Sequence, residues 1–176
     1  MKFNIILLLC FAVTAGFAES KKVPANPLID APGHVAAVNA SMEMRAERRV
    51  SEEDFMRMSA EPGTVILDAR SAAMFQRLHI RGAVNLSFPD FTAETLAKVI
   101  PSKNTRVLIY CNNNFLNSPP AFPTKCFSVA LNLSTYANLH AYGYTRVYEL
   151  GPVVDINKTK LPLSGSEAPA PIKKSQ

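Results

Sequence analysis

Cysteine and histidine are both scarce in this chain of 176 residues, with three of each. His34, His79 and His140 stand far apart and show no ligand spacing, which argues against a metal centre. No Cys-x-x-Cys pair occurs, which argues against a dedicated disulfide oxidoreductase. Basic residues outnumber acidic ones, 19 to 14, giving a formal net charge of +5, yet they are scattered. The densest runs are RAERR (45–49) and KK (172–173), and no basic stripe carries interleaved aromatics. Nucleic acid is therefore not an expected partner, and Arg45, Arg48 and Arg49 read as a solvated helix face. A long apolar run is missing too. The stretch from residue 3 to residue 13 is too short for an ordinary membrane span.

That stretch follows Lys2 and precedes the small residues Gly16 and Ala18. Residues 1–18 thus have the three-part plan of a secretory signal peptide, cut after Ala18. The expectation is an exported protein, periplasmic or secreted, with no stable membrane insertion after cleavage. Lipid anchoring at Cys10 is disfavoured, because the residue before it is Leu9 rather than a small one. The mature chain keeps Cys111 and Cys126, in a compartment where thiols oxidise.

Hydrophobic residues make up 48% of the chain and charged residues 19%, a globular composition of a length that suits one domain. Three prolines in residues 19–33 predict an extended lead-in. Helical spacing of apolar and small residues predicts an N-terminal helix over 34–49. SEEDFMRM opens a second helix, with Ser51 as N-cap and acids in the first turn. The methionines at 42, 44, 56 and 58 read as core filling. TVILDAR, AVNLSF, RVLIY and TRVYEL are strand-like, and SAAMFQRL, TAETLAKVI and SVALNLSTYANLHAY are helical. Thr92 caps the second of these helices and Gly143 ends the third. Alternating strands and helices, with continuously apolar strands, predict an α/β fold whose mostly parallel sheet is covered on both faces. The main domain spans 50–156. The polar tail, 157–176, is expected to be flexible, with only Leu161 and Leu163 able to dock.

Within RVLIYCNNNFLNSPP the apolar run stops at Cys111, where three asparagines follow. A cysteine kept for packing belongs inside such a run. Ligands of open α/β sheets bind beyond the carboxyl ends of the strands, and amides there can lower a thiol's pKa. Cys111 is therefore a candidate reactive thiol, with a buried structural cysteine as the alternative.

VILDAR (65–70), LHIRGAVNLSF (78–88), VLIYC (107–111) and AYGYTRVYEL (141–150) resemble, in order and spacing, the motifs of the rhodanese-like sulfurtransferase family. The resemblance implies a mostly parallel five-stranded sheet with helices on both sides. It also implies a sulfur atom carried as a persulfide on Cys111, between a small sulfur donor and a thiol acceptor, with no cofactor. The backbone amides of Asn112, Asn113, Asn114 and Phe115 would cradle the sulfur. Asp68, Arg70 and His79 match structural positions. The family's loop closes on an arginine, but Leu116 stands at the corresponding place and the next arginine is Arg146. The loop is also enlarged and proline-rich. Thiosulfate, a doubly charged donor, fits it poorly, and Lys125 is the one nearby replacement charge. An alternative is a non-catalytic binding or redox-sensing module. Cys111 and Cys126 would then form a disulfide or redox pair, or Phe115, Leu116, Ala121 and Phe122 would contact a partner.

Overall fold

Runs of β-branched and apolar residues make the centre of the molecule. The computed structural model describes residues 23–118 and 120–169, so the signal-peptide region 1–18 lies outside the described residues. The chain divides into two units, residues 1–30 and 31–176. In the first, the described residues 23–30 are exposed and turn at Asn26, whose Oδ1 accepts from the Leu28 amide.

The second unit begins with α1 (Ala31–Glu47), β1 (Arg49–Val50), α2 (Glu52–Ser59), β2 (Thr64–Asp68) and α3 (Ala72–Arg77). There follow β3 (His79–Ile80), β4 (Val84–Asn85), α4 (Ala93–Val99), β5 (Arg106–Tyr110), β6 (Phe115–Leu116) and α5 (Leu131–Ala141). The chain ends with β7 (Val147–Leu150), β8 (Val154–Asp155) and β9 (Leu163–Ser164). Five strands form one parallel sheet in the order β1-β7-β5-β2-β4, as the α/β reading expects.

Alternation along the strands divides the core in two. Ile66, Leu108, Tyr110 and Leu150 face Phe55 and Met58 of α2. Leu67, Val107, Ile109 and Val147 face Leu96 of α4 and Tyr136 and Leu139 of α5. Met42 and Met56 pack at the margins of these clusters. Ser51 caps α2 through the Asp54 amide, and Thr92 with Thr95 forms a reciprocal cap on α4. Gly143, at φ 85°, ends α5 in the left-handed region that glycine adopts without strain.

Two expectations need correction. The N-terminal helix stops at Glu47, and Arg49–Val50 joins the sheet edge instead, paired with Glu149 and Leu150. Helical spacing cannot detect a two-residue strand that depends on a partner a hundred positions away. The tail is also docked through much of its length. Leu161 is buried, Glu52 accepts bonds from the amides of Lys160 and Leu161, and β9 pairs antiparallel with β3. Polar composition misleads here because the tail is held mainly by backbone bonds. Among the described residues, no helix is long and apolar enough to cross a membrane.

Candidate functional site

β5 is the middle strand of the sheet, and Cys111 is the residue immediately after its carboxyl end. Parallel strands aim that end at the loops joining strands to helices, where a side chain reaches a cavity rather than a neighbouring strand. A short 3-10 turn, Asn112–Asn114, begins directly at Cys111. The Asn114 amide reaches back to the Cys111 side chain, while the Cys111 amide donates to Asn114 Oδ1 at 2.9 Å. Asn114 Nδ2 donates to the carbonyls of Leu150 and Pro152, so this side chain ties the cysteine loop to the end of β7. Asn113 bonds the backbone of Lys125 in both directions, at 2.9 Å each, and pins the far part of the loop.

The four residues expected to cradle the sulfur divide. The amides of Asn113 and Asn114 face the Cys111 thiol. The Phe115 amide instead donates to the Asn112 carbonyl, and its ring is buried in a stack with Phe122, centroids 4.2 Å apart. Asn112 is buried and lines a different cavity, with Lys125. A third amide comes from the downstream helix, at Asn132 in the first turn of α5, a residue that the sequence reading did not name. Asn132 also donates from its side chain to Asn114 Oδ1 at 3.1 Å. Its place in the opening turn of the helix downstream of the cysteine was the available signal.

These amides do not give an acidic thiol. Burial pushes the Cys111 pKa above the ordinary thiol value, and the Glu149 carboxylate pushes the same way. The amides of Asn132, Asn113 and Asn114 oppose this without reversing it. The expectation of a lowered pKa is corrected on that ground: desolvation outweighs three neutral dipoles. Cys126 behaves oppositely. It is exposed, and the Ser128 hydroxyl, 3.4 Å away, pulls its pKa below the ordinary value. Both cysteines are free thiols, not the disulfide of the alternative reading.

Cys111 lines an open cavity of ≈ 200 Å³ with Arg45, Arg49, Asn113, Asn114, Asn132 and Glu149, rimmed by Phe127, Leu133 and Val153. The two arginines were read as a solvated helix face; the fold instead brings them over the end of β7. Arg45 clasps Glu149 through Nε and Nη2, the second bond at 2.7 Å, and Glu149 is almost wholly buried. A glutamate inside the strand run TRVYEL was the clue that a buried charge needed a partner. Arg49 is exposed, and its Nη2 donates to the Gly151 carbonyl at 2.8 Å. Lys125, the replacement charge suggested by sequence, lines a different cavity with Arg70, Asn112 and Pro123.

The other motif residues are structural. Arg70 forms a buried pair with Asp68 and donates to the carbonyls of Leu78 and Ala121, fastening the cysteine loop to β2. Tyr110 donates to Asp68 Oδ2 at 2.6 Å. His79 bonds the Phe75 carbonyl through Nδ1 and stacks on the Phe75 ring. Phe115, Ala121 and Phe122, the suggested partner contacts, are buried in the domain itself, and of the four only Leu116 is exposed. Among the described residues there is no group of three or more side chains able to hold a metal ion.

The rhodanese-like domain model matches residues 51–151, more than half of the chain and all of the sheet except β1. Among solved structures, the BH2092 protein from Bacillus halodurans is 19% identical with a TM-score of 0.50, covering 76% of this chain and 87% of that one. A protein described as rhodanese with anions, from E. coli, is 24% identical with a TM-score of 0.40, covering 58% and 99%. The Alr3790 protein from Anabaena is 18% identical with a TM-score of 0.46, covering 66% and 91%. No curated protein matches the chain. The parallel five-stranded sheet with Cys111 at the end of its central strand, together with the domain match, shows that the chain belongs to the rhodanese-like domain family.

Proposed function

We propose that this protein transfers sulfane sulfur through a persulfide on Cys111. The observation that supports the reading is the cysteine's place: after the central strand, on an open cavity, with three backbone amides directed at its sulfur. The Cys111 thiol loses its proton to solvent at the cavity mouth. The thiolate then attacks the outer sulfur of the donor, and the donor's sulfur–sulfur or sulfur–sulfonyl bond breaks with its electron pair leaving on the donor remnant. Cys111 is left as a persulfide anion, which the amides of Asn113, Asn114 and Asn132 stabilise. An acceptor thiolate attacks the outer sulfur, takes it as a new persulfide, and returns the Cys111 thiolate. Sulfur alone changes hands, so no outside oxidant or reductant is required.

The raised thiol pKa is compatible with this chemistry. A less acidic thiol supplies less thiolate at neutral pH, but each thiolate is a stronger nucleophile. The loop between Cys111 and α5, enlarged and without arginine, is a departure that bears on the choice of donor rather than on the sulfur step. The protein acts outside the cytoplasm in this proposal, on the strength of the Lys2, apolar and Ala18 pattern in residues 1–18.

The deciding experiment is the intact mass of the reduced protein before and after incubation with a panel of sulfane-sulfur donors. Gain of one sulfur atom, absent in Cys111→Ser and removed by excess thiol, is the expected result. A folded, reduced protein whose Cys111 alkylates but gains sulfur from no donor would end the transfer reading.

A further inference from the structure

From the charges around Cys111, and resting on the sulfur-transfer reading above, we propose that the site selects singly charged organic sulfane-sulfur donors over doubly charged thiosulfate, with Arg49 as the anion-recognising residue. The cavity holds two arginines against one glutamate. Arg45 is fully committed, because its bidentate clasp on the buried Glu149 cancels one charge of each sign. Arg49 is the remaining cation among the described lining residues, and no ion pair joins it to an acidic side chain among the described residues. One of its five N–H groups is engaged with Gly151, which holds the guanidinium at the mouth while leaving donors for a ligand. The cavity therefore offers one net positive charge. Once Cys111 ionises, the site is neutral overall.

A dianion entering that neutral site leaves two unbalanced negative charges beside the thiolate, and like charges at close range repel. A monoanion leaves only one, with the Arg49 guanidinium there to bind it. The rim gives the second half of the argument. Phe127 is 82% exposed and Val153 58%, both bordering the opening, so an organic group on the donor has apolar surface to cover. A cavity of ≈ 200 Å³ is below the range of about 300–1,000 Å³ that encloses drug-sized ligands, so the reacting end enters and the organic group lies on the rim.

Benzenethiosulfonate and thiosulfate test this directly, since both carry a sulfane sulfur on a sulfonyl sulfur but differ in charge and in the organic group. With benzenethiosulfonate, the Cys111 thiolate bonds the outer sulfur, the sulfur–sulfonyl bond breaks, and benzenesulfinate leaves with the electron pair. With thiosulfate, sulfite leaves in the same way. The readout is the rate of single-sulfur gain on the reduced protein as a function of donor concentration. Benzenethiosulfonate should load Cys111 at least ~tenfold faster than thiosulfate at equal concentration. Arg49→Ala should weaken loading by benzenethiosulfonate about tenfold, mainly through the half-saturating concentration, with Arg49→Lys restoring part of it. Dividing each variant's loading rate by its rate of Cys111 alkylation with neutral iodoacetamide separates loss of recognition from a change in the thiol itself, and the tenfold weakening should survive that division. Glu149→Gln should narrow the gap between the two donors. Should that buried substitution prevent folding, the exposed Arg49 variants carry the test alone. Equal loading by both donors, or indifference to Arg49, overturns the inference and leaves sulfur transfer standing. Failure of every donor removes both.

Discussion

Two thiols on one loop are set apart by their surroundings. Cys111 is held above the ordinary thiol pKa by burial and by Glu149, and Cys126 below it by Ser128. Thiolate is the reacting form, so the lower pKa reacts first as pH rises. Iodoacetamide near neutral pH should therefore label Cys126 before Cys111, and the Cys111 rate should keep rising at pH values where that of Cys126 has levelled. Peptide mapping of labelled protein across a pH series checks this, and the reverse order would contradict the assigned environments. The same shift has a consequence for stability. A thiol whose folded pKa is raised favours the fold while protonated, so its contribution is complete below the unfolded value of about 8.5 and is lost as pH rises through the folded value. Glu149 matters to Cys111 in another way, because the Arg45 clasp balances its charge. Arg45→Met leaves that carboxylate uncompensated beside the thiol. Cys111 alkylation at a fixed pH should then slow several-fold, and an unchanged rate would mean that Glu149 does not act on it.

At the scale of elements, the cysteine loop is fastened to the sheet at two points, one by a side chain from outside it and one by its own. Arg70 holds it to β2 through the Ala121 carbonyl, and Asn114 holds it to the end of β7. Arg70→Ala leaves Asp68 as a buried carboxylate without its cation and should lower unfolding free energy by about 3–5 kcal/mol in urea titration. A cost under about 1 kcal/mol would mean that the loop and Asp68 find other partners. The docked tail is the second element whose worth can be measured. Gly165 has φ 125°, and a Cβ there would lie 2.4 Å from the Arg77 carbonyl oxygen. Gly165→Ala should thus push the tail off α3, costing more than about 1 kcal/mol and increasing proteolysis around residues 157–169. Leu161→Ala, which removes a buried side chain from the core facing α2, should cost about 2–3 kcal/mol by the same measurement. Tail resistance to protease in Gly165→Ala would show that this crossing is not what seats it.

Over the whole molecule, the site is assembled from parts that lie far apart in the chain: Arg45 and Arg49 near the start, Cys111 in the middle, Asn132 and Glu149 towards the end. Much of this arrangement was legible in residue order. Apolar runs marked β2, β5 and β7, caps at Ser51 and Thr92 marked helix starts, and the stop of the RVLIY run marked Cys111, because these signals depend on neighbours within a few positions. Four ordered motifs then identified the family and, with it, the structural roles of Asp68, Arg70 and His79. The rest required folding. A two-residue strand such as Arg49–Val50 has no periodicity of its own and exists only through its pairing with β7. The charge of the cavity could not be counted from the loop, since its cations come from α1 and β1 and one of them is cancelled by a glutamate 104 positions away. Nor could the thiol's pKa be read from adjacent asparagines, because burial, which depends on everything packed around Cys111, outweighs the local amides. Sequence by itself determined the layered α/β plan and the place of Cys111 at the end of a strand, both products of local pattern. The tertiary structure alone decided the seating of the tail, the direction of the Cys111 pKa shift and the charge of the cavity beside it, since each is a sum over groups that only the fold brings together.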